Sequence, residues 1–143
     1  RDRASGFHHN LGICGDPKLY SVEAPASGCV VTTVSDQPWT HTNHLICDQF
    51  SNLEQELAIS SCDRLERAQR LIEGRAPAGR NPLAVLQDSG GDGMPIFRKG
   101  KVPEDPGYTL ATAIFEIGTA GVDWRIFTDS TSEAEHAGRV SVN

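Results

Sequence analysis

The order of hydrophobic runs along the chain constrains its fold more than any other feature. Three strand-like runs come first, at Phe7–Cys14, Leu19–Glu23 and Cys29–Val34, with glycine- and proline-containing turns between them. Residues at helical spacing follow, and two more strand-like runs, Tyr108–Ile117 and Val122–Thr128, come after the helices. Because strands and helices are segregated rather than alternating, we predict an α+β fold with antiparallel sheets and helices packed on them.

The middle of the chain predicts two helices. Ser60 or Ser61 can cap the first helix. Its predicted hydrophobic face consists of Leu65, Ala68, Leu71 and Ile72. Asn81-Pro82 is typical of an N-cap followed by the first helical residue, which predicts a short second helix ending at Asp88.

Composition and charge exclude several classes of function. The 143 residues carry a net charge of −6, and they show no basic patch of the kind that binds nucleic acid. No apolar run approaches the roughly 20 residues that span a membrane. We therefore expect a single domain over residues 1–143, with neither nucleic acid nor a membrane as partner. The polar segment 129–143 is expected to fray, although Val140 and Val142 could add an edge strand.

The cysteines and histidines are too scattered to predict a metal centre. The four cysteines are Cys14, Cys29, Cys47 and Cys62, and they form no Cys-x-x-Cys pair. His8 and His9 are adjacent, and His41 and His44 are three apart, so on a strand the members of each pair point to opposite faces. We expect no metal and no other cofactor, and reduced structural thiols that fit a cytoplasmic protein.

The HTNH segment, His41-Thr42-Asn43-His44, is the strongest candidate for a functional site. It follows the β-branched run Val30–Val34, and an extended continuation of that run would place His41 and Asn43 on one face. A carboxamide held at the end of a strand can donate its N–H group to an oxyanion during acyl transfer. Alternatively, Asn43 and its neighbouring threonines form a turn or cap backbone groups.

These features occur together, in this order, in one known family. The residues that carry the resemblance are Ala4-Ser5-Gly6-Phe7, Ser21-Val22-Glu23-Ala24-Pro25, the HTNH segment, Ser61-x-x-Arg64 and Thr109. Over residues 4–128 the chain resembles the acyl-coenzyme A:6-aminopenicillanate acyltransferase-like family. That family is a branch of the N-terminal-nucleophile (Ntn) hydrolases and is related to the choloylglycine hydrolases.

The resemblance implies an αββα sandwich and a cysteine-dependent mechanism. In this mechanism a precursor cleaves itself to free an N-terminal cysteine, and the thiol then attacks an amide or an acyl thioester while its own α-amino group acts as the base. Asn43 corresponds to the oxyanion-hole asparagine of the family. His41 and His44 would orient the segment. Independently of the resemblance, Arg64 in the first turn of the predicted helix could bind a substrate carboxylate or support the structure; alternatively it is a surface arginine on an amphipathic helix.

Two departures from the family pattern bear on catalysis. The nucleophile cysteine of the family lies upstream of the stretch seen here, and the arginine that relatives can carry just before Thr109 is absent from Asp105–Tyr108. The resemblance therefore implies the C-terminal part of a larger Ntn-hydrolase domain, inactive without its N-terminal part. Two alternatives are a non-catalytic relative that binds a small ligand or a partner, and an independent α+β regulatory domain.

Overall fold

Two antiparallel sheets and two helices make up the described part of the chain. A computed structural model describes residues 7–73, 81–90, 94–100, 107–131 and 133–142. The strands are β1 Phe7–Gly12, β2 Leu19–Ala24, β3 Val30–Val34, β4 Thr112–Ile117, β5 Gly121–Phe127 and β6 His136–Ser141. The helices are α1 Ile59–Ile72 and α2 Pro82–Leu86, and a 3-10 turn lies at Asp48–Phe50. The predicted α+β class is confirmed.

Each sheet is a three-stranded antiparallel meander. The strand order is β1-β2-β3 in the first sheet and β4-β5-β6 in the second. At the β4–β5 hairpin the N–H group of Gly118 donates to the carbonyl oxygen of Gly121 at 2.9 Å, and Gly121 has a φ of 154°. The sheets meet where the ends of β1 and β4 approach each other. The approach is so close that a Cβ atom on Gly12 would collide with the side chain of Ile117.

Two segments differ from the elements predicted for them, each for a local reason. The strand predicted from Tyr108 begins at Thr112, because Tyr108 instead forms an isolated bridge with Lys99. The segment 129–143, expected to fray unless Val140 and Val142 added an edge strand, contains the edge strand β6. Val140 of this strand lies opposite Val122 of β5 and extends the apolar face of the second sheet.

Helix α1 begins without the predicted serine cap. Its N-cap is Ala58, which makes no side-chain capping bond, so the prediction that Ser60 or Ser61 caps the helix is wrong. Ser61 lies inside the first turn and is only 2% exposed. Its hydroxyl group turns away from the helix terminus and contacts the HTNH segment instead.

Helix α2 starts as the sequence predicts. The side chain of Asn81 accepts a hydrogen bond from the backbone N–H of Leu83 at 3.0 Å, and proline follows the cap. The helix ends at Leu86, two residues earlier than predicted. Asp88 lies beyond it and binds the guanidinium group of Arg67 on α1, which ties the two helices together.

Much of the apolar surface of both sheets is uncovered. The buried hydrophobic residues within the described ranges are Phe50, Ala68, Phe97 and Phe127. On the outer face of the first sheet Phe7, Leu11 and Val31 are each more than half exposed, and Phe115 and Val140 are about 60% exposed on the second. The expected αββα sandwich stays a prediction, because these apolar faces are not packed on each other.

None of the helices in the described ranges is long and apolar enough to cross a membrane.

Candidate functional site

The HTNH segment is an irregular loop rather than the end of a strand. Residues 38–47, between β3 and the 3-10 turn, form no strand, and the chain bends at Asn43 and His44. The predicted alternation is therefore wrong for this segment. His41, Thr42 and Asn43 line one cleft together with Arg64, which consecutive residues of a flat strand could not do because their side chains alternate between faces.

Glu23 of β2 holds this loop against the first sheet. Its side chain is buried and accepts hydrogen bonds from Nε2 of His41 at 2.8 Å and from the backbone N–H groups of Ile46 and Cys47 at 3.1 and 3.2 Å. Burial raises the pKa of the Glu23 carboxyl group, but the hydrogen bonds from His41, Ile46 and Cys47 outweigh it and hold the pKa below its ordinary value. A buried carboxylate thus binds the loop at three places.

His41 has both ring nitrogens occupied. Its side chain is 1% exposed, with Nδ1 2.6 Å from the carbonyl oxygen of Thr42 and Nε2 2.8 Å from Oε1 of Glu23. Carbonyl and carboxylate oxygens only accept hydrogen bonds, so the doubly protonated ring satisfies both contacts. Neither nitrogen is available to take a proton from a substrate, and the arrangement suits His41 to support of the loop.

His8 of β1 stacks on one face of the His41 ring. The two rings are parallel within 3°, with centroids 3.5 Å apart, and Nε2 of His8 lies 2.9 Å from Oγ of the buried Ser21. Burial, followed by the charge of His41, lowers the pKa of His8 to about 4, although Glu23 opposes the shift. His8 is therefore neutral at neutral pH and stacks on an ion-paired ring.

Ser61 of α1 binds the segment from the side opposite to Glu23. Its hydroxyl group accepts a hydrogen bond from the backbone N–H of Asn43 at 3.0 Å and lies 2.8 Å from Nδ1 of His44. The hydroxyl group of Thr42 donates to the carbonyl oxygen of Ser61 at 2.9 Å. Burial lowers the pKa of His44 below its ordinary value. The HTNH segment is thus held between a strand carboxylate and a helix hydroxyl.

The side chain of Asn43 has a fixed orientation. Its Oδ1 accepts a hydrogen bond from Nη2 of Arg64 at 2.8 Å, and a guanidinium group can only donate, so the oxygen must be the atom that faces Arg64. Nε of Arg64 in turn donates to the carbonyl oxygen of Ser60 at 2.9 Å. Within the part of the chain that the structure describes, the amide nitrogen of Asn43 has no hydrogen-bond partner. Asn43 is exposed and lines a cleft of about 370 Å³.

A second, larger cavity opens beside this cleft. It has a volume of about 470 Å³, lies between α1, α2 and the loop, and shares His41, Thr42 and Arg64 with the cleft. Among the described residues no cysteine lines either space, and the four cysteines form no disulfide. The site offers hydrogen-bond donors and a cationic side chain, but no thiol.

Arg98 lies beside Thr109, although the sequence just before Thr109 contains no arginine. The backbone N–H of Arg98 donates to Oγ1 of Thr109 at 2.9 Å, and Thr109 donates back to the carbonyl oxygen of Arg98 at 2.8 Å. The guanidinium group packs on Gly107, where a Cβ atom would collide with it. Arg98 lines neither the cleft nor the second cavity.

The structure brings the candidate residues into one region, but the residues that hold them in place were not predicted from the sequence. Asn43, His41 and Arg64 line the cleft, whereas His44 turns toward Ser61. The sequence did not predict that Glu23 binds His41, that Ser61 binds the backbone of Asn43, or that His8 contacts Ser21. The pattern of β2 could have indicated two of these residues, because strand alternation places its serine and its glutamate on one face.

Comparison with known proteins agrees with the family suggested by these residues. The model of the family described as acyl-coenzyme A:6-aminopenicillanic acid acyl-transferase matches residues 1–130. No curated protein and no solved structure matches the chain. The matched range covers most of the chain and contains Glu23, the whole HTNH segment and Arg64. The chain therefore belongs to the acyl-coenzyme A:6-aminopenicillanic acid acyl-transferase family, whose activity is of the acyltransferase and Ntn-hydrolase type.

Proposed function

We propose that this chain is part of an amide C–N hydrolase or acyltransferase of the cysteine Ntn type, in which Asn43 donates a hydrogen bond to the oxyanion. The observation that carries the proposal is the fixed orientation of the Asn43 amide. Arg64 binds its oxygen, and Asn43 lines the cleft. Hydrogen bonds in a chain polarise one another, so the cation on Oδ1 makes the Asn43 N–H group a stronger donor.

The reaction proceeds through a tetrahedral intermediate. A thiolate attacks the carbonyl carbon of an amide or acyl thioester, a C–S bond forms, and the carbonyl π electrons move to oxygen. Nδ2 of Asn43 donates to this oxygen, and the donor costs no reorganisation because it is already oriented. When the intermediate collapses, the C–N bond of the amide or the C–S bond of the thioester breaks, and the leaving amine or thiol takes the proton that the α-amino group removed from the nucleophilic thiol. Water or an acceptor amine then releases the acyl group.

The nucleophile is a cysteine outside this chain, contributed by an N-terminal part of the same protein after autoproteolytic processing. The positions of the cysteines support this assignment, since neither cavity is lined by one. The uncovered apolar faces at Phe7 and Phe115 support a second part of the proposal. In the complete protein the two sheets form layers of an αββα sandwich, and these faces are buried there.

The proposal is tested by replacing Asn43 in the complete protein. Asn43→Ala lowers kcat on an amide substrate by about 10²–10³, as removal of one oxyanion donor typically does, with a smaller change in KM. Turnover is measured by release of the amine.

A matched control uses an asparagine far from the cleft. Asn52 is exposed in the turn after the 3-10 segment, so Asn52→Ala leaves kcat unchanged. If Asn43→Ala also retains full turnover, Asn43 is not the oxyanion donor. If the complete protein releases no amine at all, the non-catalytic ligand-binding alternative replaces the enzyme.

A further inference from the structure

We infer that His8 is a positioning residue for Asn43: its neutral ring holds the HTNH segment against the first sheet, and a proton on that ring releases the segment. The release is a property of the fold and does not depend on the proposed function. Its consequence for turnover does rest on the proposed function, because it acts through the orientation of the Asn43 amide.

The stacked rings of His8 and His41 join strand β1 to the HTNH segment. Their centroids are 3.5 Å apart, and their planes are parallel within 3°. The buried hydroxyl group of Ser21 lies 2.9 Å from Nε2 of His8 and fixes that ring on the sheet. Nδ1 of His41 lies 2.6 Å from the carbonyl oxygen of Thr42, the residue that precedes the proposed oxyanion donor. A change in the stack therefore acts on the backbone of the HTNH segment directly.

The charges around the stack balance one proton but not two. Both ring nitrogens of His41 contact oxygens that only accept hydrogen bonds, so this ring carries a proton on each nitrogen. Its charge is balanced by Glu23, which lies opposite His8 across β1 and β2. Among the described residues, the other titratable or charged groups that face this region are bases, namely His9 on β1, His44 in the loop and Arg64 on α1. A proton on His8 would therefore set two like charges face to face beside a single carboxylate.

The environment of His8 favours the neutral ring only while the segment is closed. Burial, followed by the charge of His41, lowers the pKa of His8 from 6.5 to about 4, although Glu23 opposes the shift. In an open segment the ring regains water and loses the facing cation, so its pKa returns toward 6.5. Acid therefore favours the open form. Between pH 7 and pH 5 the ratio of open to closed segment rises about 20-fold.

The loop, and not the strand, moves when the stack is broken. Strand β1 is paired with β2 along its whole length, so a ladder of backbone bonds holds His8 in place. Residues 38–47 form no strand. They are bound by hydrogen bonds to Glu23 and Ser61 instead. Repulsion at His41 weakens one of these anchors and loosens the segment that carries the proposed oxyanion donor.

Hydrogen exchange of the complete protein, measured by mass spectrometry at pH 7 and pH 5, tests the release. The protection factor of the peptide that covers residues 38–47 corrects for the intrinsic effect of pH on exchange. It falls about 20-fold in the wild type. His8→Gln keeps a hydrogen-bonding group beside Ser21 but cannot titrate. Its protection factor therefore falls much less, and the remaining fall comes from His44, whose pKa is also lowered.

The matched control for exchange is His9→Gln. His9 is exposed on the opposite face of β1, so this variant keeps the wild-type fall. The peptide that covers β5 is the reference for global unfolding. A released segment exchanges through an opening that is more populated than global unfolding, so its protection factor stays below that of β5. Equal protection factors of the two peptides at pH 5, or a fall in His8→Gln as large as in the wild type, would overturn the inference.

Turnover gives a second readout, which a purely structural role of His8 would not move. The ratio of the wild-type kcat to the kcat of His8→Gln cancels the titration of the nucleophile, which both proteins share. This ratio falls as the pH is lowered from 7 to 4, because only the wild type gains a charge in the stack. A constant ratio contradicts the positioning of Asn43 by His8. Circular dichroism identifies a variant that does not fold, and the wild-type protection factors then test the release without it.

The outcomes separate this inference from the proposed function. If the exchange result is as expected and Asn43→Ala retains full turnover, the release by acid stands and the oxyanion role fails. If Asn43→Ala loses turnover but the protection of residues 38–47 is independent of the proton on His8, the oxyanion role stands and the inference about His8 fails.

Discussion

The carboxylate of the first sheet, Glu23, lies on a covered face, whereas the charged side chains of the second sheet lie on an open one. Glu23 and His41 form an ion pair whose side chains are 5% and 1% exposed. The pair between Glu116 and Arg125 on the second sheet has side chains that are 64% and 46% exposed. Both sheets are three-stranded antiparallel meanders, so the difference does not come from strand pairing.

The comparison bears on whether the buried Glu23–His41 pair contributes to stability or to positioning. Exposed ion pairs contribute roughly 0–1 kcal/mol, since water solvates each partner well without the other. A buried pair loses that solvation and often gains little net stability compared with apolar residues of similar volume. The Glu23–His41 pair is therefore better explained by positioning, because it fixes an irregular loop that has no strand ladder of its own.

The largest effect that tests this comparison is expected at Glu23. Glu23→Ala leaves His41 and the N–H groups of Ile46 and Cys47 buried without their acceptor, so the free energy of unfolding falls by about 3–5 kcal/mol. Chemical denaturation measures the change. Glu116→Ala on the second sheet is the control, with a loss below about 1 kcal/mol. Equal losses in the two variants would remove the distinction between the sheets.

A smaller effect is expected at Ser61. Ser61→Ala leaves the partly buried backbone N–H of Asn43 and Nδ1 of His44 without their hydroxyl partner, and the free energy of unfolding falls by about 1–3 kcal/mol. Ser141 on β6 is exposed, and Ser141→Ala changes stability by less than about 0.5 kcal/mol. In the complete protein Ser61→Ala also lowers kcat by moving the HTNH segment, which Ser141→Ala does not. Full stability and full turnover of Ser61→Ala would contradict the assigned support.

The effect that is smallest at neutral pH is a change in the pH dependence of stability. The folded protein lowers the pKa of His8 from 6.5 to about 4, so between these values the unfolded chain binds more protons. The contribution of neutral His8 to the free energy of unfolding is complete above pH 6.5 and is lost as the pH falls toward 4. His44, whose pKa is also lowered, acts in the same direction. His8→Gln keeps a hydrogen-bonding group but cannot titrate, so stability falls less steeply on acidification.

The matched control for His8 is the exposed His136 on β6. Melting temperatures of His136→Gln between pH 7 and 4 follow the wild-type curve. One histidine can change the slope by at most about 1.4 kcal/mol per pH unit. An unaltered acid slope in His8→Gln would mean that the stacked ring is not held neutral by the fold.

Local rules predicted the regular elements well. Strand alternation and turn residues located the first meander and strands β4 and β5, and the Asn81-Pro82 pair located α2. These features depend on residues close in sequence, so period and turn chemistry are sufficient. The family was also predicted from residues, because its motifs recur in a fixed order.

The geometry of the site depends on contacts that local rules do not specify. Residues 38–47 are irregular, so the strand assumption for Asn43 failed. His8 lies opposite Glu23 across β1 and β2, and that register becomes known only when the strands are paired. Ser61 was predicted to cap the helix because a serine hydroxyl suits that role. In the folded protein Ser61 instead binds the HTNH segment, 17 to 19 residues earlier in the chain.

The contact between Arg64 and the oxygen of Asn43 has a consequence for stored or aged protein. Deamidation of Asn43 would turn its nitrogen into a second oxygen and leave a carboxylate that pairs with the guanidinium more strongly than the amide does. The loop would keep its shape and the molecule its melting behaviour. If Asn43 donates to the oxyanion as proposed, the carboxylate would repel negative charge where the amide had donated a hydrogen bond, and the complete protein would lose activity without unfolding.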